Sequence, residues 1–539
     1  MEADTRPAGL GPPSSSDPAA WLDRALRLGP ERTFIETSRG RLFTYGDLAE
    51  LSVRIAAVLA WSGVSASDRV LVKVDKSVEA IALYVACLRI GAIFVPLNTA
   101  YTPHELEYFI RDSQPRLIVV RPEDRAAVEA LVPHGGGRVQ TLGTSGDGTL
   151  LSPAGTGPQV PAGSQVGAGP GPAAPGPAHF DAGHLAALLY TSGTTGKPKA
   201  AMLTRGNLAS NAATLVDLWR FTQDDVLLHA LPIFHIHGLF VATNTVLASG
   251  ASMIFLPKLD VEEVLRLLPR ATVMMGVPTY YTRLLADSRL SPETTAHIRL
   301  FVSGSAPLSA EHHREFQQRT GHEILERYGM TETSMIASNR YERRVPGAVG
   351  AALPGVEVRI TDLQSGAVSE SPDTVGMIEV RGPNVFKGYW RNPEKTAAEF
   401  RSDGFFKTGD VGLIDAHGYV HIVGRAKDLI ITGGYNVYPA EVEEELNSLP
   451  GVLESAVFGV PHADFGEGVT ALVVRAPGQA QLDERAVLGA LRNRLANYKI
   501  PKRVLFAEEL PRNTMGKVQK QALREAHGNL YQAPTSSRT

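Results

Sequence analysis

Helical and strand-like hydrophobic patterns alternate along residues 43–133. Segment 44–64 carries apolar residues at helical spacing, and Thr44 followed three residues later by Asp47 is typical of a helix N-cap. The segments that follow predict, in order, a strand, a helix, a strand, a helix and a strand: 69–74, 77–92, 93–97, 104–114 and 116–121. This alternation predicts a doubly wound α/β sheet.

The α/β alternation resumes after residue 178 and continues to about residue 360, where shorter strand-like segments such as 377–382 and 418–425 begin. A smaller unit follows from residue 426. Its predicted elements are a helix with Pro439 in its first turn, two strands, a second helix and a last strand: 439–449, 454–460, 468–476, 483–498 and 503–510. The pattern predicts a compact α+β module, and we place the domain boundary at Arg425.

Composition separates the folded segments from the rest of the chain. Residues 152–178 are rich in Pro, Gly, Ala and Ser and cannot bury enough apolar surface to fold, which predicts a mobile loop. We also expect a disordered lead-in at 1–28 and a tail at 526–539. The predicted organisation is a large N-terminal α/β domain at 29–425, with a small β-rich part at its end, and a smaller α+β C-terminal domain at 426–525.

Overall composition excludes several classes of protein. The chain has 539 residues, too many for one hydrophobic core, and a formal net charge of −3, so it has no nucleic-acid footprint. Its single cysteine, Cys87, excludes an internal disulfide and a cysteine metal cluster. Apolar runs are too short for a membrane span, and the N-terminal segment has the acidic residues Glu2 and Asp4 and no apolar stretch. We therefore expect a cytoplasmic protein without a membrane or nucleic-acid partner.

Candidate chemistry begins in the loop YTSGTTGKPKA at 190–200, directly after the apolar strand 186–190. Glycines allow close backbone approach to an anion, and the hydroxyls and the lysine supply donors and positive charge. The sequence therefore predicts a phosphate-binding loop formed by Thr191, Ser192, Gly193, Thr194, Thr195, Gly196 and Lys197. The loop differs from the P-loop motif, because its glycines are three rather than five residues apart and Pro198 follows the lysine, which disfavours a P-loop kinase or ATPase.

Five further motifs accompany this loop: LPIFHIHGL (231–239), ERYGMTET (326–333), YWRNPEKT…DGFFKTGDVG (389–412), GRAKDLIITGGYNVYP (424–439) and PRNTMGKVQK (511–520). In this order they resemble the adenylate-forming, acyl-activating superfamily. The segments FHIHGL, GVPTYYTRLL, RLFVSGSAPL, RVPGAVG and VFGVPHADFGEGVTALVV resemble the malonyl-CoA synthetases within it. The resemblance implies an adenylate-forming fold with a mobile C-terminal domain. It also implies a ligase that uses ATP, Mg²⁺ and coenzyme A, and that joins malonate to AMP before transfer to CoA.

The resemblance assigns most of the nucleotide site. The loop 191–197 would hold the leaving phosphates, Tyr328 the adenine, Thr331 the α-phosphate, Glu332 the Mg²⁺ ion and Asp410 the ribose. It further implies that Lys517 enters from the C-terminal domain to bridge the carboxylate and the α-phosphate, and that His235 lies beside the reacting groups. The remaining nucleotide contacts implied are Gly304, Ser305, Ala306, Gly329 and Arg425.

The acyl and CoA sites follow from the same resemblance. A second carboxylate in a mostly apolar pocket needs a fixed cation, and an arginine can bind it with two hydrogen bonds. Arg283, directly after the strand that lines the family's acyl pocket, is the sequence candidate, with His237, Ser303 and Met335 as the other pocket residues. Lys427 is the implied hinge of the C-terminal domain, and Gly433 and Gly434 would line the pantetheine path.

Alternatives remain open from the sequence alone. Malonate and methylmalonate differ by one methyl group, which a pocket discriminates weakly, by about 1–3 kcal/mol. The rival functions are three: an acyl-CoA ligase for another short or aromatic acid, a free-standing peptide-synthetase adenylation domain and a non-catalytic nucleotide-binding protein.

Pro511, Gly516 and Lys517 also match a pattern that lysine acetyltransferases recognise, so such an enzyme is an expected partner. Ala200 and the pair Thr204–Arg205 depart from the family pattern, from which we expect altered ATP affinity at most.

Overall fold

The computed structural model describes residues 17–132, 137–152, 179–191, 198–492, 494–513 and 516–531. Its α-helices in these ranges are α1 Ala19–Leu28, α2 Tyr45–Trp61, α3 Val78–Ile90, α4 Pro103–Ser113, α5 Arg125–Glu129, α6 Arg205–Leu218, α7 Asn244–Ser249, α8 Val261–Leu267, α9 Pro278–Leu285, α10 Pro292–Thr295, α11 Ala310–Thr320, α12 Pro393–Glu399, α13 Pro439–Asn447, α14 Glu484–Leu491 and α15 Lys520–Ala526.

Strands make up four sheets within the same ranges. The strands are β1 Thr33–Thr37, β2 Leu42–Thr44, β3 Arg69–Lys73, β4 Ile93–Pro96, β5 Leu117–Val120, β6 Arg138–Thr141, β7 Leu185–Thr191, β8 Lys199–Thr204, β9 Val226–His229, β10 Ser252–Phe255, β11 Val273–Gly276, β12 Leu300–Ser303, β13 Ile324–Met330, β14 Ser334–Ser338, β15 Ala351–Ala352, β16 Glu357–Thr361, β17 Val368–Ser369, β18 Gly376–Arg381, β19 Phe406–Ile414, β20 Val420–Arg425, β21 Ile430–Thr432, β22 Tyr435–Val437, β23 Val452–His462, β24 Gly466–Arg475 and β25 Arg503–Ala507.

The two largest sheets are mostly parallel, as the βα alternation predicts. One has nine strands in the order β15-β14-β13-β12-β11-β9-β10-β1-β2, and the other has six in the order β6-β5-β3-β4-β7-β8. Antiparallel pairing occurs only towards their edges, for example between β7 and β8. Helices α2 and α3 pack together, and the fully apolar face of α3, including Cys87, is buried in the core shared by these elements. The prediction of doubly wound α/β sheets is confirmed.

Two smaller sheets complete the fold. An antiparallel sheet in the order β17-β16-β18-β19-β20 corresponds to the predicted β-rich part. The C-terminal sheet has the order β22-β21-β24-β23, with β25 parallel to β24, and packs against α13 and α14 around its own apolar core. The α+β character of the C-terminal module is therefore confirmed. The boundary at Arg425 stays a prediction; it coincides with the end of β20.

Capping and proline residues in the sequence correctly predicted where helices α2 and α13 begin. The Thr44 hydroxyl accepts a hydrogen bond from the Asp47 amide while the Asp47 carboxylate accepts one from the Thr44 amide, so the predicted cap of α2 is a complete capping box. Pro439 occupies the first turn of α13. The helix predicted at 483–498 is shorter, because α14 ends at Leu491 and the chain turns so that Tyr498 stacks on Tyr435 at a centroid distance of 4.6 Å.

The prediction of a disordered lead-in at 1–28 is wrong for its second half. Residues 19–28 form α1, which buries Trp21, Leu22 and Ala25 against the N-terminal domain, including α7. The apolar residues of this short segment recur at helical spacing, and their burial outweighs the polar composition around them. Residues 1–16, the loop residues 153–178 and the tail residues 532–539 lie outside the described part of the chain.

The departures from the family pattern at 204–205 have structural roles. Thr204 caps α6 in a capping box with Asn207. Arg205 is fully buried, donates to the Leu88 carbonyl at 2.9 Å and pairs with Asp17. The pair therefore anchors α6 to the start of the described chain. In the part of the chain that the structure describes, no helix has the length and apolar character needed to cross a membrane.

Candidate active site

Four neighbouring parallel strands bring the acyl-pocket motifs to one edge of the nine-stranded sheet. Strands β9, β11, β12 and β13 pair in parallel, so their carboxyl ends lie side by side. His235 and His237 follow β9, helix α9 with Arg283 follows β11, and Ser303 ends β12. Residues separated by 68 positions in sequence thus lie together, since Ser305 Oγ is 3.3 Å from His237 Nδ1.

The phosphate loop connects β7 to its antiparallel neighbour β8, and its residues 192–197 lie outside the described part. Both ends of the loop are held by α4. The Tyr108 hydroxyl donates to the Pro198 carbonyl at 2.7 Å, and the Tyr190 hydroxyl donates to Asp112 Oδ2 at 2.6 Å. Thr191 Oγ1 lies 3.5 Å from Glu332 Oε1, which places the start of the loop beside the expected Mg²⁺ ligand.

Glu332 is a buried carboxylate, and burial raises its pKa above the usual range of a glutamate. The Tyr389 hydroxyl lies 3.1 Å from Glu332 Oε1 and 2.8 Å from Glu399 Oε2, so it links the two carboxylates. Lys395 pairs with Glu399 at 2.5 Å on the outer side. A hard cation prefers carboxylate oxygens and shares phosphate oxygens, so this buried acid next to the phosphate loop fits Mg²⁺.

The Asp410 carboxylate contacts two side chains, the Arg425 guanidinium and the Tyr328 hydroxyl. Its Oδ1 lies 2.5 Å from Arg425 Nε, and its Oδ2 accepts the Tyr328 hydroxyl proton at 2.5 Å. Asp410 and Arg425 are paired in register across β19 and β20. This pairing brings together two motifs that are 15 residues apart in the sequence. The Asp410 charge raises the pKa of Arg425, while burial and Asp410 raise the pKa of Tyr328. The structure thus joins the predicted adenine and ribose residues.

Lys517 reaches this group from the C-terminal domain. Its side chain is exposed to solvent, yet protein atoms crowd it, and this desolvation lowers its pKa. Arg425 lowers the pKa further, whereas the carboxylates of Asp410 and Glu332 oppose the shift. The backbone around it contacts the N-terminal domain, because a Cβ built on Gly516 would lie 3.1 Å from Thr279 Oγ1. Lys517 therefore lies close enough to Arg425, Asp410 and Glu332 for their charges to act on its pKa.

The two histidines are neutral at physiological pH. Burial and the charges of Lys517 and Arg327 lower the pKa of His235 to about 3, and burial with the Arg327 charge places that of His237 well below its usual range. His235 Nδ1 accepts the His237 amide at 3.2 Å, which fixes its ring. Neither histidine serves as a general acid that titrates near neutrality, and both can act as hydrogen-bonding groups.

The other predicted residues fall into two groups. Gly304, Ser305 and Ala306 form a turn after β12 in which Ser305 has a φ of +73°, and Met335 packs over Gly329 with its Cε 2.6 Å from where a Cβ would be. Thr331 is half-buried beside Glu332. These residues surround the site as expected from the resemblance, although their roles stay predictions.

Arg283 has an exposed side chain on α9, and its charge acts on the neighbouring Tyr280. It lies one helical turn beyond Thr279, the residue that faces Gly516, so it borders the outer side of the site. Lys427 is exposed in a 3₁₀ turn directly after β20, and Gly433 and Gly434 form the two-residue turn between β21 and β22 with φ of +57° and +82°. The positive φ values account for both glycines.

Sequence reasoning missed three residues that the structure brings to the site. Tyr389 contacts Glu332, Tyr108 holds the phosphate loop, and Arg327 is buried behind the loop at Gly304. Two of them lie inside motifs that the sequence singled out, ERYGMTET and YWRNPEKT. For Arg327, its position in β13 directly before the assigned Tyr328 was the available signal. Among the described residues, no cluster of three or more His, Cys, Asp or Glu side chains could hold a metal.

Comparison with protein families gives two matches. Residues 22–390 match the model of the AMP-binding enzymes, and residues 441–517 match that of the AMP-binding enzyme C-terminal domain. Among curated proteins, the chain is 35% identical over 525 residues to the indoleacetate–CoA ligase of Aromatoleum aromaticum, covering 94% of this chain and 97% of that protein. It is also 35% identical over 563 residues to the human mitochondrial malonate–CoA ligase ACSF3, covering 95% and 93%.

Solved structures agree with these matches. The ATP-bound MatB from Rhodopseudomonas palustris is 55% identical to this chain and superposes with a TM-score of 0.89, covering 95% of this chain and 99% of that one. The apo form of the same protein gives a TM-score of 0.80 at 55% identity, covering 96% and 99%. The chain as a whole therefore superposes more closely on the ATP-bound form than on the apo form.

Proposed function

Because the chain belongs to the AMP-binding enzyme family, we propose that it is an acid–thiol ligase that converts malonate and CoA into malonyl-CoA by way of malonyl-AMP. The observation that supports this most directly is the position of Lys517 next to Asp410, Arg425 and Glu332, with the C-terminal domain closed on Thr279. The names of the relatives, which include a malonate–CoA ligase, support the choice of acid.

In the first half-reaction, a malonate carboxylate oxygen attacks the α-phosphorus of ATP and the bond to the leaving pyrophosphate breaks. Lys517 would bridge the attacking carboxylate and the α-phosphate, while Arg425 and the residues of loop 191–197 offset phosphate charge. Asp410 would accept the ribose hydroxyls in place of its present contacts. Mg²⁺ held by Glu332 would supply further neutralisation of the phosphates.

In the second half-reaction, the CoA thiol loses its proton to solvent and its sulfur attacks the acyl carbon of malonyl-AMP; the bond from that carbon to the bridging oxygen breaks, and AMP leaves with this oxygen. Lys517 would lie in the path of the thiol, so we propose that the C-terminal domain rotates between the two half-reactions. Lys427, at the junction after β20, is the proposed hinge, and the turn at Gly433 and Gly434 is the proposed border of the pantetheine path.

The test is CoA-dependent pyrophosphate release with ATP, Mg²⁺ and one acid at a time: malonate, methylmalonate, succinate, acetate, octanoate or coumarate. We expect malonate to give the highest kcat/KM. Release only with monocarboxylic or aromatic acids would support a different acyl-CoA ligase and reject malonate. Nucleotide binding without pyrophosphate release for any acid would reject the ligase.

Two finer proposals follow from the sequence. The cytoplasm is the proposed compartment, because the acidic residues Glu2 and Asp4 are untypical of a transit peptide. The human relative is named as mitochondrial, and cofractionation of this protein with mitochondria would contradict the proposal.

An acetyltransferase that modifies Lys517 is the proposed regulator, since acetylation removes the bridging charge. Acetylated protein should lose adenylation and still convert preformed malonyl-AMP with CoA, and equal loss of both steps would reject this role.

A further inference from the structure

Lys517 lies on a short hairpin, residues 511–519, of which residues 514 and 515 lie outside the described part of the chain. The Asn513 amide donates to the Lys517 carbonyl at 2.9 Å, and the Lys517 amide donates to Asn513 Oδ1 at 3.0 Å. The Gly516 amide donates to the Asn513 carbonyl at 2.9 Å. These bonds join the two arms of the hairpin, but they do not attach it to the rest of the C-terminal domain.

The attachment is made by Arg512. Its Nη1 donates to the Gly516 carbonyl at 2.6 Å, and its Nη2 pairs with Glu454 of β23. The Gly516 carbonyl belongs to the peptide bond that joins Gly516 to Lys517. A single planar guanidinium, which donates in fixed directions, thus connects the peptide directly before Lys517 to a strand of the domain's sheet.

Two other ion pairs attach the same C-terminal segment without holding the hairpin backbone. Lys520 Nζ lies 2.7 Å from Glu443 Oε1 of α13, and Arg524 Nη1 lies 3.3 Å from Asp428 Oδ1, beside the proposed hinge. Both cations lie on α15, after the hairpin ends. Arg512 differs from them because its guanidinium also bonds to the backbone that carries Lys517.

A catalytic lysine depends on the backbone beneath it. The lysine side chain is a long, flexible stem, so its ammonium reaches one place reliably only if the backbone at its base is fixed. Gly516 has a φ of +74°, and a glycine is free to leave such a conformation for many others. The bond from Arg512 restricts this freedom at the peptide next to Lys517. Misplacing a reacting group by about 1 Å can cost roughly 100-fold in rate.

The ion pair itself does little for the stability of the fold. The side chains of Arg512 and Glu454 are 29% and 30% exposed, and an ion pair in contact with solvent contributes little to the free energy of unfolding. What its geometry does is orient a guanidinium whose other end bonds to Gly516. The consequence of losing Arg512 therefore falls on the position of the hairpin rather than on folding.

Resting on the proposed function, we propose that Arg512 is a positioning residue for Lys517 and that Glu454 orients Arg512. Arg512 acts through the Gly516 carbonyl and not by contact with the reacting groups. Its effect is confined to the first half-reaction, because that is the step in which Lys517 bridges the attacking carboxylate and the α-phosphate.

The test measures the two half-reactions separately in wild type and Arg512→Met. We expect Arg512→Met to lower the rate constant of malonate-dependent pyrophosphate release, in a single turnover without CoA, about 10-fold. The ATP concentration that gives half of the maximal rate should stay within about 2-fold, because Lys517 acts on the transition state. Conversion of preformed malonyl-AMP with CoA should be unchanged. Arg503→Met is the matched control, since Arg503 of β25 pairs with Glu484 at 3.0 Å in the same domain.

Two conservative variants separate position from charge. Arg512→Lys keeps the charge and loses the planar fork, so it should recover only part of the rate. Glu454→Gln keeps an oxygen that accepts from the guanidinium, and it should cost about 3-fold or less. Hydrogen exchange followed by mass spectrometry adds a measurement that needs no substrate. In Arg512→Met, exchange should speed up over residues 511–519, while peptides from β23 and the Tm stay as in wild type.

The outcomes are distinct. Wild type that releases no pyrophosphate with malonate rejects the proposed function itself. Wild type that does so, with Arg512→Met as fast as Arg503→Met, overturns the assignment to Arg512 only. Equal losses in both half-reactions, or exchange that speeds up throughout the C-terminal domain, would show a structural role for Arg512 and likewise overturn it.

Discussion

Lys517 illustrates how a single residue acquires its chemistry from its surroundings. In the sequence it is one lysine in a basic C-terminal segment, whereas in the structure Asp410, Glu332 and Arg425 all act on its charge. Desolvation and Arg425 together lower its pKa below that of a free lysine. The charged form is required to bridge carboxylate and phosphate, so the lowered pKa limits the reaction at alkaline pH.

We therefore predict an alkaline limb in the first half-reaction. The kcat/KM for ATP in acid-dependent adenylation reports the free enzyme, and it should fall as the pH rises through the lowered pKa of Lys517, below its ordinary value of 10.5. Conversion of preformed malonyl-AMP and CoA should lack this limb. Lys517→Arg should move the limb upward, because an arginine stays protonated; an unchanged limb in that variant would assign it to another group.

At the residue scale, the structure groups the residues predicted for the nucleotide and leaves Arg283, the predicted acyl cation, exposed on α9. Asp410, Arg425 and Glu332 lie in motifs whose chemistry is recognisable, and the structure brings them together. Arg327 lies in one of the same motifs, beside Tyr328, and was not predicted. Successive residues of a strand point to opposite faces, and only the order of β12 and β13 in the sheet decides that the Arg327 guanidinium packs against Gly304.

At the element scale, helix α4 supports the phosphate loop. It begins with a capping box in which Thr102 and Glu105 satisfy each other's amides, and it presents Tyr108 and Asp112 to the two ends of the loop. A loop that holds phosphates must be positioned before ATP binds, because ordering it on binding costs affinity. Helix α4 fixes the two described ends of the loop through hydrogen bonds to Pro198 and Tyr190.

Tyr108→Phe should raise the KM for ATP about 3-fold to 10-fold, since it removes one hydrogen bond, worth roughly 1 kcal/mol, from the loop. The kcat and the Tm should change little, because the ring and its packing against Phe109 remain. Tyr101→Phe, which removes a hydroxyl from a ring packed on the same Phe109, is the control. A change in KM of the same size in both variants would mean that the helix, and not the bond to Pro198, is responsible.

At the scale of the whole molecule, the C-terminal domain is closed over the site. Gly516 approaches Thr279 of α9, and the overall arrangement resembles an ATP-bound relative more than its apo form. We propose that this closed state serves adenylation, with Lys517 in the site. The second half-reaction would then require the C-terminal domain to rotate about the segment at Lys427.

A disulfide between the domains should separate the two half-reactions. In Thr279→Cys/Gly516→Cys the two Cβ atoms would lie 3.9 Å apart, which suits a disulfide. A cysteine at the positive φ of Gly516 costs about 1–2 kcal/mol, which the closed state tolerates. The oxidised variant should release one equivalent of pyrophosphate and form no malonyl-CoA until dithiothreitol is added.

The natural protein makes this experiment clean, because its only cysteine, Cys87, is fully buried. Thr279→Cys alone serves as the control and should turn over with or without oxidant. Full malonyl-CoA synthesis by the oxidised double variant, with the disulfide verified by mass, would contradict the need for rotation.

The sequence by itself determined what depends on neighbours along the chain: the βα alternation, the helix cap at Thr44, the first-turn proline at Pro439, and the donors of the phosphate loop. Only the tertiary structure decided which side chains are buried or paired across the molecule. Contacts with distant segments bury residues 19–28 as a helix, where the sequence predicted a disordered lead-in. Such contacts also bury Arg327, whose Nε and Nη2 lack a hydrogen-bond partner, and place Lys517 beside Asp410. Desolvation and pairing depend on contacts between distant segments, which local patterns do not encode.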